Sequence, residues 1–333
     1  MIKKPRVFIT GVAGFIGFHL AHKLLSSKRF YVYGLDNLNS YYDVQLKKKR
    51  LALLRRFEGF YFYKMDLVSR KGLENAVQEA LPLTAFIHLA AQAGVRYSLE
   101  APMSYVQSNL LGFSHVLEAC LETKTPHLLY ASSSSVYGGS QSIPFVEEDA
   151  TNTPLSLYAA TKKSNEMMAH SYAAMHKLVS TGMRFFTVYG PFGRPDMALF
   201  RFTECMLAGK PIEVYNHGKM ARDFTYIDDI VDAIIRLIDH PPKAQKIPHQ
   251  IFNIGSQNPI TLETFIKLIE DATDSQAHKI YLPLPKGDVV RTFANTQALR
   301  RATGWMPKTK TITGIRKFVE WYKNYYKVVT TSR

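Results

Sequence analysis

The sequence predicts an α/β protein built on a doubly wound parallel sheet, with a smaller, loop-rich C-terminal lobe. Short apolar strands alternate with helical stretches through residues 1–190. A glycine-rich turn, Gly11-Val-Ala-Gly14-Phe-Ile-Gly17, joins the first strand directly to the first helix. Beyond Gly190 the alternation loosens and is broken by Pro191, Pro195, Pro211, Pro241-Pro242, Pro283 and Pro285. Strands are expected at 6–10, 31–36, 60–65, 85–89, 127–131 and 180–186, with helices at 16–27, 44–56, 72–79, 103–123 and 155–176. Strands separated by helices must be joined by crossovers, which makes the sheet parallel and covers both its faces. The chain is therefore divided into a nucleotide-binding domain, 1–190, and a lobe, 191–333, that mainly binds substrate.

Composition narrows the partners. The 333 residues are 46% hydrophobic and 21% charged, as in soluble globular proteins. No apolar run approaches the ~18 residues of a membrane span, and Val7-Phe8-Ile9 is too short for a signal-peptide core. A cytoplasmic protein with no membrane partner is expected. Cys120 and Cys205 lie in helical patterns and are expected reduced and buried. No Cys/His cluster has zinc-like spacing, so no metal is expected. The net charge of +15 raises nucleic-acid binding through Lys47-Lys48-Lys49-Arg50 and Arg55-Arg56. Leu46, Leu51 and Leu54 stand at helical intervals among these charges, however, and read the run as a solvated helix face. No nucleic-acid partner is expected; a positive field equally draws in an anionic metabolite.

The glycine turn is the cofactor signal. Glycines permit a tight turn and let the backbone approach a pyrophosphate, whose charge the N-terminus of the helix favours. Gly11, Gly14, Phe15, Ile16 and Gly17 are the candidate contacts. Asp36 closes the second strand, nineteen residues beyond Gly17, where an acid bonds the adenosine ribose. A carboxylate there repels a 2′-phosphate, so on this Rossmann-type sheet the expected cofactor is NAD, favoured over NADP. Asn37 follows it, Asp66-Leu67 stand where adenine would lie, and Leu89-Ala90-Ala91 offer small residues where the dinucleotide crosses the sheet. Asn109 is counted with them.

Tyr158 and Lys162 are four apart in a helical stretch, so the phenol and the ammonium share a face. A free tyrosine, with a pKa near ~10, is a weak base at neutral pH. A nearby cation favours the phenolate and brings it into working range. The spacing recurs in Tyr215-Asn-His-Gly-Lys219, whose glycine marks it as a loop and a coincidence.

Together, Gly11–Gly17, His88-Leu-Ala-Ala-Gln92, Tyr130-Ala-Ser-Ser-Ser-Ser-Val-Tyr-Gly138 and Tyr158-x-x-x-Lys162 resemble the extended short-chain dehydrogenase/reductase family. Within it the chain is similar to the UDP-glucuronate 4-epimerases. That similarity rests on Ala93-Gly-Val-Arg96-Tyr-Ser98, Phe186-Thr187-Val-Tyr-Gly-Pro-Phe-Gly-Arg194-Pro-Asp-Met-Ala198 and Arg222-Asp-Phe-Thr-Tyr-Ile-Asp-Asp229. Asn295 and Pro285-Lys286 depart from the pattern.

The resemblance implies that Tyr158 is the base, that Lys162 holds the cofactor ribose and lowers the tyrosine pKa, and that Ser133 bonds the reacting oxygen, with Ser134 as second choice. Related dehydratases and decarboxylases carry acids at the serine site. Ser133-Ser134-Ser135 supplies none, which leaves transient oxidation of a UDP-sugar at C4. Thr187 and Arg194 pair a hydroxyl with a guanidinium, which suits a carboxylate on C6. Arg194 read instead as a surface loop residue is the plainer alternative. Arg96 is a further candidate there, and Arg222, Tyr215 and Asp288 are assigned to the diphosphate and uridine. The resemblance also implies a homodimer through the 103–123 and 155–176 helices. A 4-epimerase of neutral or N-acetylated UDP-hexoses and a non-catalytic NAD-binding regulator are the competing functions.

Overall fold

The computed structural model describes residues 4–242, 244 and 246–328. Twelve strands are assigned among them: β1 (Arg6–Thr10), β2 (Tyr31–Asp36), β3 (Phe60–Lys64), β4 (Ala85–His88), β5 (Leu128–Ser133), β6 (Ser180–Phe185), β7 (Thr187–Tyr189), β8 (Ile212–Tyr215), β9 (Ala221–Tyr226), β10 (His249–Ile254), β11 (Pro259–Thr261) and β12 (Lys279–Leu282). Seven form one sheet in the order β10-β6-β5-β4-β1-β2-β3, parallel throughout. Side chains of β1 alternate between its two faces. Val7 and Ile9 enter a core that continues into the C-terminal part of the chain, while Phe8 enters a second core with Phe86 and Phe113.

The strand order reverses between β1 and β4, which pair with Thr10 opposite His88. Such a switch point opens a crevice at the carboxyl ends of the strands. The turn after β1 and the turn after β4 therefore meet: a Cβ on Gly11, whose φ is +73°, would lie 2.7 Å from the Ala90 nitrogen. A Cβ on Gly17 would lie 2.2 Å from the Gly11 carbonyl oxygen. These two glycines are required by close backbone packing, and the packing leaves the helix Phe15–Ser26 open at its N-terminus.

The structure extends the expected division at residue 190. β10 comes from beyond it yet pairs with β6 to complete the large sheet. The helix Ile227–Ile238 also returns, packing against Phe15–Ser26. Its apolar residues Ile230, Ile234 and Leu237 are fully buried. Beyond residue 190, β9 and β11 join β7 in a three-stranded sheet, β11-β9-β7, and β8 and β12 form a pair.

The expected 103–123 helix is instead a run of shorter pieces. Pro102–Tyr105 leads into a wide π turn, Val106–Leu111, and then the α-helix Gly112–Glu122. Within the π turn the Asn109 carbonyl accepts the Asn165 side-chain amide at 2.7 Å, a bond from the neighbouring helix. The basic run is also different from expectation. Lys48 and Lys49 are exposed, but Lys47 and Arg50 are buried. Arg50 donates to carbonyls of distant loops, invisible to a local pattern, and Lys47 to the Asn39 carbonyl eight residues earlier. Cys120 is buried as expected, whereas Cys205 is only half-buried and faces the cleft described next.

Candidate active site

A cleft of about 1190 Å³ runs along the carboxyl ends of the sheet and beneath the C-terminal lobe. Every site residue expected from the sequence lines it except Asn109. Asn109 is a correction: it is buried, and its amide is used up by the Gln92 main chain (2.8 and 3.0 Å) and the Thr161 hydroxyl (3.0 Å). It braces the wall behind the cleft rather than facing a ligand.

One end of the cleft has the features a dinucleotide requires. Asp36 is buried, and its carboxylate accepts from Ala13 N (3.1 Å) and Leu38 N (2.8 Å), which fixes it at the end of β2. Burial raises its pKa, against the opposing pull of Leu38 N–H and of the Lys47 ammonium. Asn37 donates to Asp66 at 2.8 Å, joining the loops after β2 and β3. Burial lowers Lys47 to about 8, with Asp36 opposing. The close-packed glycine turn, the open helix N-terminus and the anchored acid fit NAD.

At the centre, β5 runs two residues beyond the expected strand end and delivers Ser133 from its last position. The helix Leu157–His176 starts on Ser156, whose hydroxyl accepts from Ala159 N at 3.1 Å, and carries Tyr158 in its first turn. The Ser133 hydroxyl is close enough to the Tyr158 phenol to pull its pKa down; it donates to Ser135 Oγ at 3.1 Å and accepts from Ser135 N at 3.2 Å. Burial raises the Tyr158 phenol, while the Ser133 bond and the Arg194 charge pull it down. The sequence expected a cation to bring the phenol into working range; burial instead holds it above its ordinary pKa, with the Arg194 charge among the opposing pulls. Lys162 lies behind, buried, and donates to the Ala131 carbonyl at 2.9 Å.

Burial lowers the Lys162 ammonium to about 8 from its ordinary 10.5. Between those values the unfolded chain holds the proton and the folded chain has released it, so stability rises with pH through that window. Below it both states are protonated, and the whole cost of burying the cation is present. Lys162→Met should therefore melt above wild type near neutral pH, by a margin that narrows as pH approaches 10.5. Thermal unfolding across that range checks this; a constant margin contradicts it.

The far side of the cleft is cationic. Arg194 pairs with Asp196, Nε lying 3.0 Å from Oδ1, and Asp196 also accepts from the Tyr41 hydroxyl at 3.0 Å. Burial alone would lower the Arg194 pKa, but Asp196 more than reverses this and holds the guanidinium charged. Sequence reasoning missed Asp196 and Tyr41; an acid two residues after Arg194 was the available signal. In the same cleft, Asp288 sits between Arg222 (3.3 Å) and Arg96 (3.5 Å). The Arg96 guanidinium lies 4.1 Å from the centre of the Tyr215 ring. Thr187, on β7, lines the same cleft. The second Tyr-Lys spacing is indeed a loop: Tyr215 ends β8, and a 3₁₀ turn over Asn216–Gly218 follows.

A switch-point dinucleotide crevice with a Ser-Tyr-Lys group at its centre defines a class of protein, catalysts of hydride chemistry on a hydroxyl-bearing carbon. The chain belongs to the NAD dependent epimerase/dehydratase family, whose model matches residues 7–255. It is 46% identical to a probable UDP-glucuronate 4-epimerase of Rhizobium meliloti, over 98% of this chain and 99% of the relative. An uncharacterized 37.6 kDa protein of Escherichia coli is 50% identical, over 97% of this chain and 100% of that one. Among solved structures, the UDP-glucuronic acid 4-epimerase of Bacillus cereus in complex with UDP-glucuronic acid and NAD superposes with a TM-score of 0.90. It is 31% identical and covers 96% of this chain and 100% of its own. Among the described residues no helix is long and apolar enough to cross a membrane, and no His/Cys/Asp/Glu group could hold a metal.

Proposed function

We propose that the chain interconverts UDP-glucuronate and UDP-galacturonate, as a 4-epimerase that retains NAD. The observation that carries this is the joining of two sites in one cleft: Ser133, Tyr158 and Lys162 at its centre, and the Arg194 guanidinium near enough to Tyr158 to act on its pKa. Gly11, Gly14, Phe15, Ile16, Gly17, Asp36, Asn37, Asp66, Leu67, Leu89, Ala90 and Ala91 are assigned to NAD. Bound NAD supplies one thing, a reversible acceptor for the hydride on sugar C4.

The chain supplies the rest. Tyr158 takes the proton of the C4 hydroxyl while Ser133 bonds the same oxygen, and Lys162 places a cation behind them. Serine hydroxyls at positions 133–135, where elimination would need acids, give the 4-keto sugar no route to elimination, and it turns over to be reduced on its other face. Arg222, Arg96, Tyr215 and Asp288 are assigned to the diphosphate and uridine. Arg194 and Thr187 take the C6 carboxylate, for which Arg194 must share or exchange its bond to Asp196. A neutral hydroxymethyl group would leave the guanidinium poorly matched, which disfavours UDP-hexoses by about ten- to a hundredfold.

Oxidation at C4 makes a β-keto acid, which loses carbon dioxide when its carboxylate bond stands perpendicular to the new carbonyl. Held by Arg194 and Thr187 near the carbonyl plane, the carboxylate is retained. Arg194→Ala should release a pentose by-product and reduce the preference for acidic sugars by about tenfold or more. Product analysis checks this, and a variant with neither change contradicts it. The functional reading itself is tested by incubation with UDP-glucuronate and no added NAD. UDP-galacturonate is the expected product; its absence from a protein shown to contain NAD would refute the reading.

The chain is further proposed to form a homodimer through the helices flanking the π turn and Leu157–His176. Met103, Leu111, Met167 and Met175 are each exposed on these elements and are the apolar side chains such a contact would cover. Sedimentation of the full chain decides between the two states.

A further inference from the structure

Arg50 is among the most deeply buried large side chains of the protein, with no exposed surface. A buried cation is normally matched by an acid. The Arg50 guanidinium is bonded instead to three main-chain carbonyls and a phenol. It donates to Ala13 O at 2.8 Å, Phe192 O at 2.6 Å and Gly193 O at 3.4 Å, and to the Tyr42 hydroxyl at 2.7 Å. Ala13 belongs to the glycine turn. Phe192 and Gly193 are the two residues before Arg194, and Tyr42 follows the Tyr41 whose hydroxyl holds Asp196. One side chain thus ties together the three loops that meet around Arg194.

The loop it grips is not relaxed by itself. Phe192 has a φ of +55°, in the left-handed region a side chain disfavours, so surrounding contacts must hold it there. The first helix supplies two of them. His19 Nε2 bonds Pro191 O at 2.8 Å, and the Phe18 ring packs on Phe192 with centroids 5.0 Å apart. Burial lowers His19 to about 4, which keeps it neutral at working pH, so the imidazole N–H is the donor to the carbonyl.

We propose that Arg50 is a positioning residue for the carboxylate end of the substrate: by gripping the carbonyls of Phe192 and Gly193 against the glycine turn, it sets where Arg194 stands relative to Tyr158. The inference rests on the functional reading above. It assigns to a buried cation on the 44–54 helix a part in deciding whether the 4-keto uronate keeps its carboxylate. When that group is poorly held, the C5–C6 bond breaks, its electron pair passes into the C4 carbonyl as an enolate, and carbon dioxide leaves. A solvent proton then adds at C5, giving a 4-keto pentose and leaving the cofactor reduced.

The test uses the full-length holoenzyme with saturating NAD. Arg50→Lys keeps the charge but presents one donor centre where the guanidinium reaches three carbonyls. The share of turnover ending in pentose, read by product analysis and by the near-ultraviolet absorbance of reduced NAD, should rise about tenfold, while the rate of C4 oxidation falls less than about threefold. In a Tyr158→Phe background, which stops turnover, the binding preference for UDP-glucuronate over UDP-glucose should fall by about the same factor. A product partition and a binding preference equal to wild type would overturn the proposal. So would a variant whose only loss is NAD affinity, the result expected if Arg50 serves the glycine turn alone. Should Arg50→Lys not fold, His19→Leu removes the grip on Pro191 and must move the partition the same way; an unchanged partition there is also an overturning result. Wild type measured in parallel separates the two claims, since a wild type that makes no UDP-galacturonate fails the functional reading itself.

Discussion

Tyr158→Phe should lower kcat for C4 epimerisation by about 10²–10⁴-fold, with KM for UDP-glucuronate nearly unchanged. The substitution removes one oxygen and keeps the ring, which meets Tyr105 edge-on with centroids 6.2 Å apart. Ser133 keeps both of its bonds with Ser135, to the hydroxyl and from the main-chain N–H. Substrate anchoring through the arginines is untouched, so the loss falls on the proton transfer and not on binding. The pH profile carries a second signature. Burial holds the phenol above its ordinary pKa, against the Ser133 bond and the Arg194 charge. Replacing Arg194 with a neutral residue removes one of the two downward pulls, so the alkaline rise in rate should move to higher pH in that variant. Steady-state rates across pH check both points; a kcat within a few-fold of wild type in Tyr158→Phe contradicts the assignment.

The largest expected loss of stability comes from Glu166→Ala. Glu166 and Arg184 are both 2% exposed. The carboxylate accepts from Arg184 Nε at 2.8 Å and from the second guanidinium nitrogen at 3.0 Å, and from the Ser132 hydroxyl at 2.6 Å. Arg184 continues the network to the Tyr137 hydroxyl, which donates to Asn253 on β10. Removing the acid strands a buried cation, at about 3–5 kcal/mol. The double change Glu166→Leu with Arg184→Met removes both charges and should recover much of that loss. The network joins β5, which carries Ser133, to the helix that carries Tyr158 and Lys162, so activity should fall along with stability in the single variant. Denaturant unfolding of the three proteins tests this, and a single variant within about 1 kcal/mol of wild type contradicts it.

The parts legible in the sequence are those whose causes are local. The first strand, the glycine turn and the first helix are consecutive, and their geometry follows from three glycines and an alternating apolar strand. Tyr158 and Lys162 are one helical turn apart, so their shared placement needed nothing from elsewhere in the chain. The misreadings have partners far away in sequence. Arg50 looked solvated because the run around it is basic, yet its guanidinium is hydrogen-bonded to carbonyls at positions 13, 192 and 193. β10 follows the helix Ile227–Ile238 across a loop broken by Pro241-Pro242, and its place in the large sheet is set by pairing with β6, far earlier in the chain. The π turn depends on Asn165 reaching across from another helix. Arg194 lay between these cases: its residue type pointed to an anion, and the Asp196 that holds it stands two residues on, but the Tyr41 that completes the group comes from a distant loop.

The central claim is that C4 of a uronic acid is oxidised and then reduced within one closed cycle. The most direct measurement uses UDP-glucuronate carrying deuterium on C4, incubated with the protein in ordinary water and no added cofactor. The account predicts UDP-galacturonate with the deuterium still on C4 and no label in the solvent. Loss of the label to water, or inversion at C4 with solvent hydrogen in its place, would contradict it.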